Sequence, residues 1–486
     1  MGTGLAPQGL CIDSATDRTF VKNFMDRTVS VLETGALFRD GAKTVAESTV
    51  PTVASEALPL DVLRGKQVFY NAGDPRMSAE GYLSCASCHA DGGHDSRVWD
   101  FTGRGEGLRN TTTLRGRGGM AHGNVHWSAN FDEIQDFEHD IRGAFGGSGF
   151  LSASEFAATN QPLGTPKAGL DSDLDALAAY VASLGRETVP RSPFRNPDGT
   201  LTAEAVAGRA VFTREGCGSC HAGVNLSDSS LGAETLHDVG TLRDTSGQRL
   251  SGTLAGIDTP TLYGLWNTAP YFHDGSAPTL NDVFRVAGGN LLPAEAASTA
   301  GAASVVTNYV DLNNDDTVHG RAYAELESTG ASLTFHNVEG GPQGGQGALE
   351  IRYSRGYGPV DIEVLVNGVS HPMTLPDTGN EPGWRHVNWE TVRLENIALT
   401  SGPANTIVIT SSAPYVGLSI DDILVTPQPY RARAFPHRRV LSLPQSERQA
   451  LVAYLQQLDA QPGAEPTIFV DGFESGGTTI WTGESP

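Results

Sequence analysis

Apolar residues recur with a helical period in two widely separated stretches. In DSDLDALAAYVASLG, Leu174, Leu177, Val181 and Leu184 form one stripe; in LPQSERQALVAYLQQLD, Leu451, Leu455 and Leu458 do, with Pro444 in the first turn. Both stretches contain ALxAY. Between them the period changes to two. Leu349, Ile351 and Tyr353 share one face of ALEIRYS, and Val360, Ile362, Val364 and Val366 one face of VDIEVLVNG, which ends in an Asn-Gly turn. NTIVITSS and LSIDDILV continue the alternation, so this region reads as an all-β sandwich. Residues 4–33 also read as short strands, separated by the turns DSATDR and NFMDR. The pattern predicts a multidomain fold: mainly α regions, a β-sandwich inside them, and a short N-terminal β segment.

At 486 residues the chain is too long for one core. No apolar run approaches the roughly 18 residues of a membrane span. A net charge of −23 argues against nucleic acid as a partner. The start, MGTGLAPQGLCIDS, lacks a basic stretch followed by an apolar core and is not a signal peptide. Cys11, alone in GLCID, reads as a small buried residue.

The other four cysteines fall in CASCH (Cys85–His89) and CGSCH (Cys217–His221). A thioredoxin-like site needs a βαβ setting, and a zinc ribbon needs its pairs about 15–20 residues apart. Neither condition is met. Covalent haem attachment remains, and it alone uses the adjacent histidine. Cys85, Cys88, Cys217 and Cys220 would bind the vinyl groups, and His89 and His221 the iron. The surroundings repeat as well. Gly65, Val68 and Phe69 in LRGKQVFYNAG match Gly208, Val211 and Phe212 in AVAGRAVFTREG, and NTTTLRG matches DTPTLYG. VHWSANFDEIQDF set against FHDGSAPTLNDVF places His126 opposite His273. The chain is expected to carry two copies of one helical haem lobe.

Both CxxCH motifs, TPTLYGLWNTAPYFHDGSAPTL (Thr259–Leu280) and the paired closing helices resemble the bacterial di-haem cytochrome c peroxidase family, which includes the methylamine-utilisation di-haem oxidases. The resemblance covers roughly Pro59–Asn290 plus Leu443–Asp459. It implies two covalent c-type haems, one peroxidatic and one feeding it electrons. It also implies hydrogen peroxide or an oxidisable partner as substrate, and a small redox protein as donor. Such haems are attached outside the cytoplasm, so a periplasmic or extracellular location is expected, and the chain is expected to be the C-terminal part of a longer protein or to start at a misplaced position. Trp127 matches the family's tryptophan between the haems and is, with His126, the expected catalytic pair. Ala287 stands near the place of the family's methionine ligand. The second iron is therefore expected to take His273 opposite His221 or to stay open. The first is expected to take a releasable His126 opposite His89, with His122 and Met120 as rivals, while His94 in DGGHDS reads as a solvated turn residue. The glycines of GRGGMAHG suggest a mobile setting there, and hence a reactive first lobe. Gln135, Glu133 and Glu138 follow Trp127 at a spacing that suits proton transfer, but each reads first as helix surface.

GASLTFHNVEGG, LEIRYSRG, VLVNG, GWRHVNWETV and SIDDILV resemble the jelly-roll carbohydrate-binding modules of families 6 and 35. This implies a polysaccharide partner and a structural calcium near Glu325, Glu327 and Asp422. Trp384, Trp389 and Tyr353 would stack on a sugar ring or pack the core. Residues 1–50 resemble one blade of a YncE-like β-propeller. The expected domains are that blade, a first cytochrome c lobe at 57–188, a second at 198–292 and 431–461, the inserted sandwich at 293–430, and a linker and tail at 462–486. An insert with neighbouring ends is expected to be separable from its host. Two rival functions stay open: an electron-transfer protein with both irons six-coordinate, and a carbohydrate-targeted binding protein with accessory haems.

Overall fold

The computed structural model describes residues 3–43, 45–231, 235–243, 246–307, 322–379, 388–414, 417–427 and 435–459. Trp384 and the tail at 462–486 lie outside the described residues. The first four strands, β1 (Pro7–Asp13), β2 (Arg18–Asn23), β3 (Thr28–Glu33) and β4 (Ala46–Pro51), form an antiparallel meander in sequence order. Cys11 is exposed on edge strand β1, not buried, because nothing among the described residues covers that strand. Phe24, just past β2, ties the meander to the first lobe. Its ring lies 5.1 Å from Tyr70, and Lys66 Nζ stands 4.3 Å from its centroid.

Each lobe is opened by one helix and closed by another that crosses it. The pairs are α1 (Leu60–Tyr70) with α2 (Ser172–Ala182), and α3 (Ala203–Arg214) with α5 (Gln445–Gln456); α4 (Leu280–Arg285) lies between the latter two in sequence. Asp171 caps α2 by accepting from the Asp173 and Leu174 amides, and Thr202 caps α3 through the Ala205 amide. Both crossings turn on glycine. A Cβ on Gly65 would stand 1.8 Å from the Ala176 carbonyl oxygen, and one on Gly208 1.8 Å from that of Ala450. The next neighbours repeat too: the Tyr180 Cβ at 2.8 Å and the Tyr454 Cβ at 2.9 Å. Val68, Phe69, Leu174, Leu177 and Tyr180 bury together in one lobe, and Val211, Leu451 and Leu455 in the other.

The insert is two sheets face to face. One runs β6 (Ser298–Ala300), β9 (Ser332–Val338), β14 (Asn405–Ser411), β11 (Val360–Val366), β12 (Val369–Leu375). The other runs β7 (Ala303–Val306), β8 (Tyr323–Leu326), β15 (Leu418–Thr426), β10 (Gly345–Arg355), β13 (Glu390–Leu399). Leu333, Phe335, Val364 and Ile409 meet Leu349, Ile351, Tyr353 and Ile423 in one core. β5 (Asn290–Pro293) pairs with β15, so the second sheet already begins at Asn290, before the boundary expected at 293. The expected alternation of buried and solvated positions fails on β10 and β15. Glu350, Arg352, Asp421 and Asp422 are all buried. Arg352 pairs with Asp421, Asp422 with Arg285 of α4, and Glu350 with Arg438 beyond the insert. The outer face of this sheet packs on the second lobe, so its charges are matched by partners instead of water. Among the described residues no helix is long and apolar enough to cross a membrane.

Candidate functional site

The second CxxCH motif follows its opening helix after a short turn, and the first after the longer segment 71–84. In both, the histidine's Nδ1–H donates to a nearby carbonyl: His89 to Gly93 and His221 to Leu226, each at 3.2 Å. A carbonyl can only accept, so the proton sits on Nδ1 and Nε2 is left free as a ligand. Burial pushes His89 down to about 4 and lowers His221 as well, which keeps both imidazoles neutral, the form that binds metal. Burial also pushes the Cys85 thiol up to about 12 and that of Cys88 to about 11, the opposite of a redox-active thiolate site.

Beside His221 opens a largely apolar cavity. Cys217, Cys220, Leu262, Phe284 and Leu451 are among its apolar walls. His437 faces His221 across it, with ring centroids 6.4 Å apart. Two imidazoles on opposite sides of one iron, each bonded at about 2 Å, put their centroids roughly 6 Å apart. His437 is pushed down to about 3, by burial first and by His221 second, and its buried Nδ1 has no hydrogen-bond partner. The residues present fit a c-type haem here. His437 was missed in the sequence because it lies beyond the insert, in AFPHRRVLSL, far from its partner.

His273 takes a different place. Its Nε2 is 3.0 Å from Ser246 Oγ and its Nδ1 3.4 Å from Thr241 Oγ1, and it is not among the residues lining the cavity. The reason is register. Val125 bridges Phe131 and Tyr271 bridges Ala277, and the next residue has positive φ in both cases: His126 at 70° and Phe272 at 67°. His126 therefore corresponds to Phe272, and Trp127 to His273, one residue off the alignment read from sequence. Phe272 lines the cavity, 5.6 Å from the His437 ring.

Trp127 is nine-tenths buried and forms part of the second lobe's cavity wall. Its Nε1–H donates to the Asn110 carbonyl, and its own carbonyl accepts from the Asp258 amide, both at 2.8 Å. The adjacent His126 turns the other way. Its ring packs at 4.3 Å from Phe131 and 4.9 Å from Phe137, in the cluster that includes Cys85. Nδ1 is 2.9 Å from Asn130 Oδ1, and Nε2 3.4 Å from Asp140 Oδ2. Burial alone would lower its pKa, but the Asp140 carboxylate outweighs burial and raises it. Asp140, held also by Arg104, had no signal in the sequence.

The rivals sit elsewhere. His122 is fully buried against Arg117, 3.1 Å from Nη2. His94 Nε2 donates to the Asn267 carbonyl, and Met120 packs against the first lobe's core. The glycines of GRGGMAHG serve close approach: a Cβ on Gly119 would lie 3.0 Å from Ala182 Cα, and one on Gly123 2.5 Å from the Ser229 carbonyl oxygen. Glu133 accepts from the Lys167 and Ala168 amides, Glu138 from those of Phe150 and Leu151, and Gln135 donates to Asp175. All three tie the lobe together. One group of metal-ligating type, Cys220, Asp228 and His237, includes an attachment cysteine and belongs to the same site.

In the sandwich, Asp422 is bound by Arg285, Glu327 accepts from Ser304, and Glu325 from the Tyr323 hydroxyl. Tyr353 is fully buried in the core, and Trp389 packs at 5.7 Å from Tyr323. Neither ring is offered to a sugar.

A c-type cytochrome is the class that this fold and these paired motifs define. A family model described as RoxA-like, cytochrome c-like matches residues 256–287. Hydrazine synthase subunit gamma of Kuenenia stuttgartiensis is 30% identical over 296 residues, covering 53% of this chain and 79% of that one. Cytochrome c551 peroxidase of Pseudomonas aeruginosa is 27% identical over 288 residues, covering 53% and 78%. Among solved structures, a family 35 carbohydrate binding module from Clostridium thermocellum is similar at 22% identity and a TM-score of 0.24, over 29% of this chain and 98% of that one. The chain belongs to the di-haem cytochrome c family that contains the cytochrome c peroxidases, a family of peroxidase-like c-type oxidoreductases.

Proposed function

We propose that the chain carries two covalent haems, at Cys85/Cys88 and Cys217/Cys220, and works as a periplasmic di-haem oxidoreductase that reduces hydrogen peroxide. A c-type haem supplies, when bound, an iron that exchanges single electrons and, with one position open, a site for peroxide reduction. His89 and His221 are the proximal ligands. The single observation that carries the reading is the facing pair His221 and His437, which has no counterpart in the first lobe among the described residues. In our reading these two imidazoles would hold the second haem between them and leave it no open position, so that this lobe would serve electron transfer, with His437 in place of the expected His273. Phe272 there corresponds to His126 in the first lobe.

With both nitrogens of His126 committed to Asn130 and Asp140, we read it as a proton carrier beside the open position and not as a ligand. Asp140 positions it and favours its protonated form. Trp127, whose neighbour His126 packs on the first lobe's Phe131 and Phe137 while its own ring walls the second lobe's cavity, is the relay between the sites. Peroxide reduction takes two electrons and two protons. A small redox protein delivers the electrons through the second lobe, and His126 hands on protons in the first.

The test is haem content. A pyridine haemochrome assay on exported protein should give two haems per chain, falling to one in Cys85→Ala and in Cys217→Ala. One haem or none in the unsubstituted exported protein overturns the reading.

A further inference from the structure

The segment that bears His437 packs into its own lobe through Val440 and is also fastened to the sandwich. Arg438, the next residue, sends Nη2 to Glu350 Oε1 at 2.9 Å and Nη1 to Thr426 Oγ1 at 3.3 Å. Both partners are sandwich residues, Glu350 on the interior strand β10 and Thr426 at the end of β15. Its remaining bond, from Nη1 to the Ala287 carbonyl at 3.1 Å, reaches the point where the chain leaves α4 for the insert. Glu350 is 6% exposed and also holds Arg393 of the neighbouring strand β13.

The near side is fastened in the same manner. Arg285 of α4 grips Asp422 of β15 with both Nη atoms, at 2.8 and 3.2 Å, and Asp422 has no exposed surface. β5 then adds to the sheet, with Asn290 opposite Val425 and Pro293 opposite Asp422. The turn His437–Ser442 packs on α4 between these two fastenings. A hydrogen-bonded charge pair in a buried setting holds its partners in a narrow range of positions.

We infer that the inserted sandwich, which supplies none of the cavity's lining, braces the second haem pocket from outside, and that Glu350, acting through Arg438, is the positioning residue that holds His437 over His221. The inference rests on His437 being the second iron's sixth ligand. It reverses the expectation of a separable insert: the covalent ends of the module are neighbours, but its inner charges belong to the lobe.

The test uses the full-length, haem-loaded protein and reads the second haem alone. Arg438→Gln removes the tether and leaves the Glu350–Arg393 pair intact. Imidazole should then exchange into the second haem about tenfold faster or more, the scale of one lost charge-assisted hydrogen bond. The midpoint potential of that haem should shift while the first haem's spectrum stays unchanged. Glu350→Gln should reproduce the effect, and Glu350→Asp should restore part of it. Arg393→Gln, which removes the other partner of the same carboxylate, should leave exchange rate and potential as they were. Should Arg438→Gln not accumulate as folded haem protein, Glu350→Gln decides. Native exchange rate and potential in Arg438→Gln and Glu350→Gln overturn the inference. His437→Gly separates the two levels. If it abolishes the low-spin spectrum while both tether variants are native, the tether alone falls; if it leaves that spectrum intact, the ligand assignment falls.

Discussion

His437→Gly is expected to convert the second haem from low spin to high spin and to open it to cyanide and added imidazole. The two rings stand 6.4 Å apart, and burial keeps both imidazoles neutral, the form that binds metal. Met is absent from this lobe's cavity lining, Phe272 offers no donor atom, and His273 is occupied by Ser246 and Thr241. Added imidazole should refill the space and restore the low-spin optical spectrum. His273→Gly should instead leave the second haem low-spin, because that imidazole is engaged by Ser246 and Thr241. The optical spectra of the two ferric variants, side by side, distinguish the assignment to His437 from the one that the sequence suggested. A change of spin state in His273→Gly with none in His437→Gly would reverse it.

The other large effect concerns the fold. Gly65→Ala and Gly208→Ala should each destabilise the protein by about 3 kcal/mol or more, from overpacking against a rigid neighbour. The sign makes this informative. On an exposed helix position the same change stabilises by roughly 0.5–1 kcal/mol, since alanine is the better helix former. Here the added carbon meets a backbone oxygen at 1.8 Å, and the crossing helices must separate. Because net stability is only about 5–15 kcal/mol, the loss is easily seen in denaturant unfolding of the haem-loaded protein. Unchanged or raised stability in both variants would mean that the helix crossings are not the ones described.

Much of this was legible in the chain itself. Gly65 and Gly208, the two ALxAY helices and both CxxCH motifs repeat closely enough to expose the paired lobes. Strict alternation at Leu349–Tyr353 and Val360–Val366 exposed the sandwich. What the sequence hid has physical causes. The register of His126 depends on a positive φ that aligned letters do not carry, so histidine was matched to histidine when the backbone pairs His126 with Phe272. His437 contacts His221 only because the insert returns the chain to its starting point. Glu350 and Asp422 look like solvated strand residues, because their alternation is the same whether water or a lobe covers the face. GRGGMAHG looked mobile, yet its glycines are where backbone meets backbone.

Asymmetry between the irons is the centre of the account, and the EPR spectrum of the ferric, haem-loaded protein tests it most directly. The account predicts equal amounts of two signals: a low-spin signal from the second lobe, and a high-spin signal from the first that alone changes when hydrogen peroxide is added. Two low-spin signals, neither altered by peroxide or cyanide, would contradict it and leave a pure electron-transfer protein.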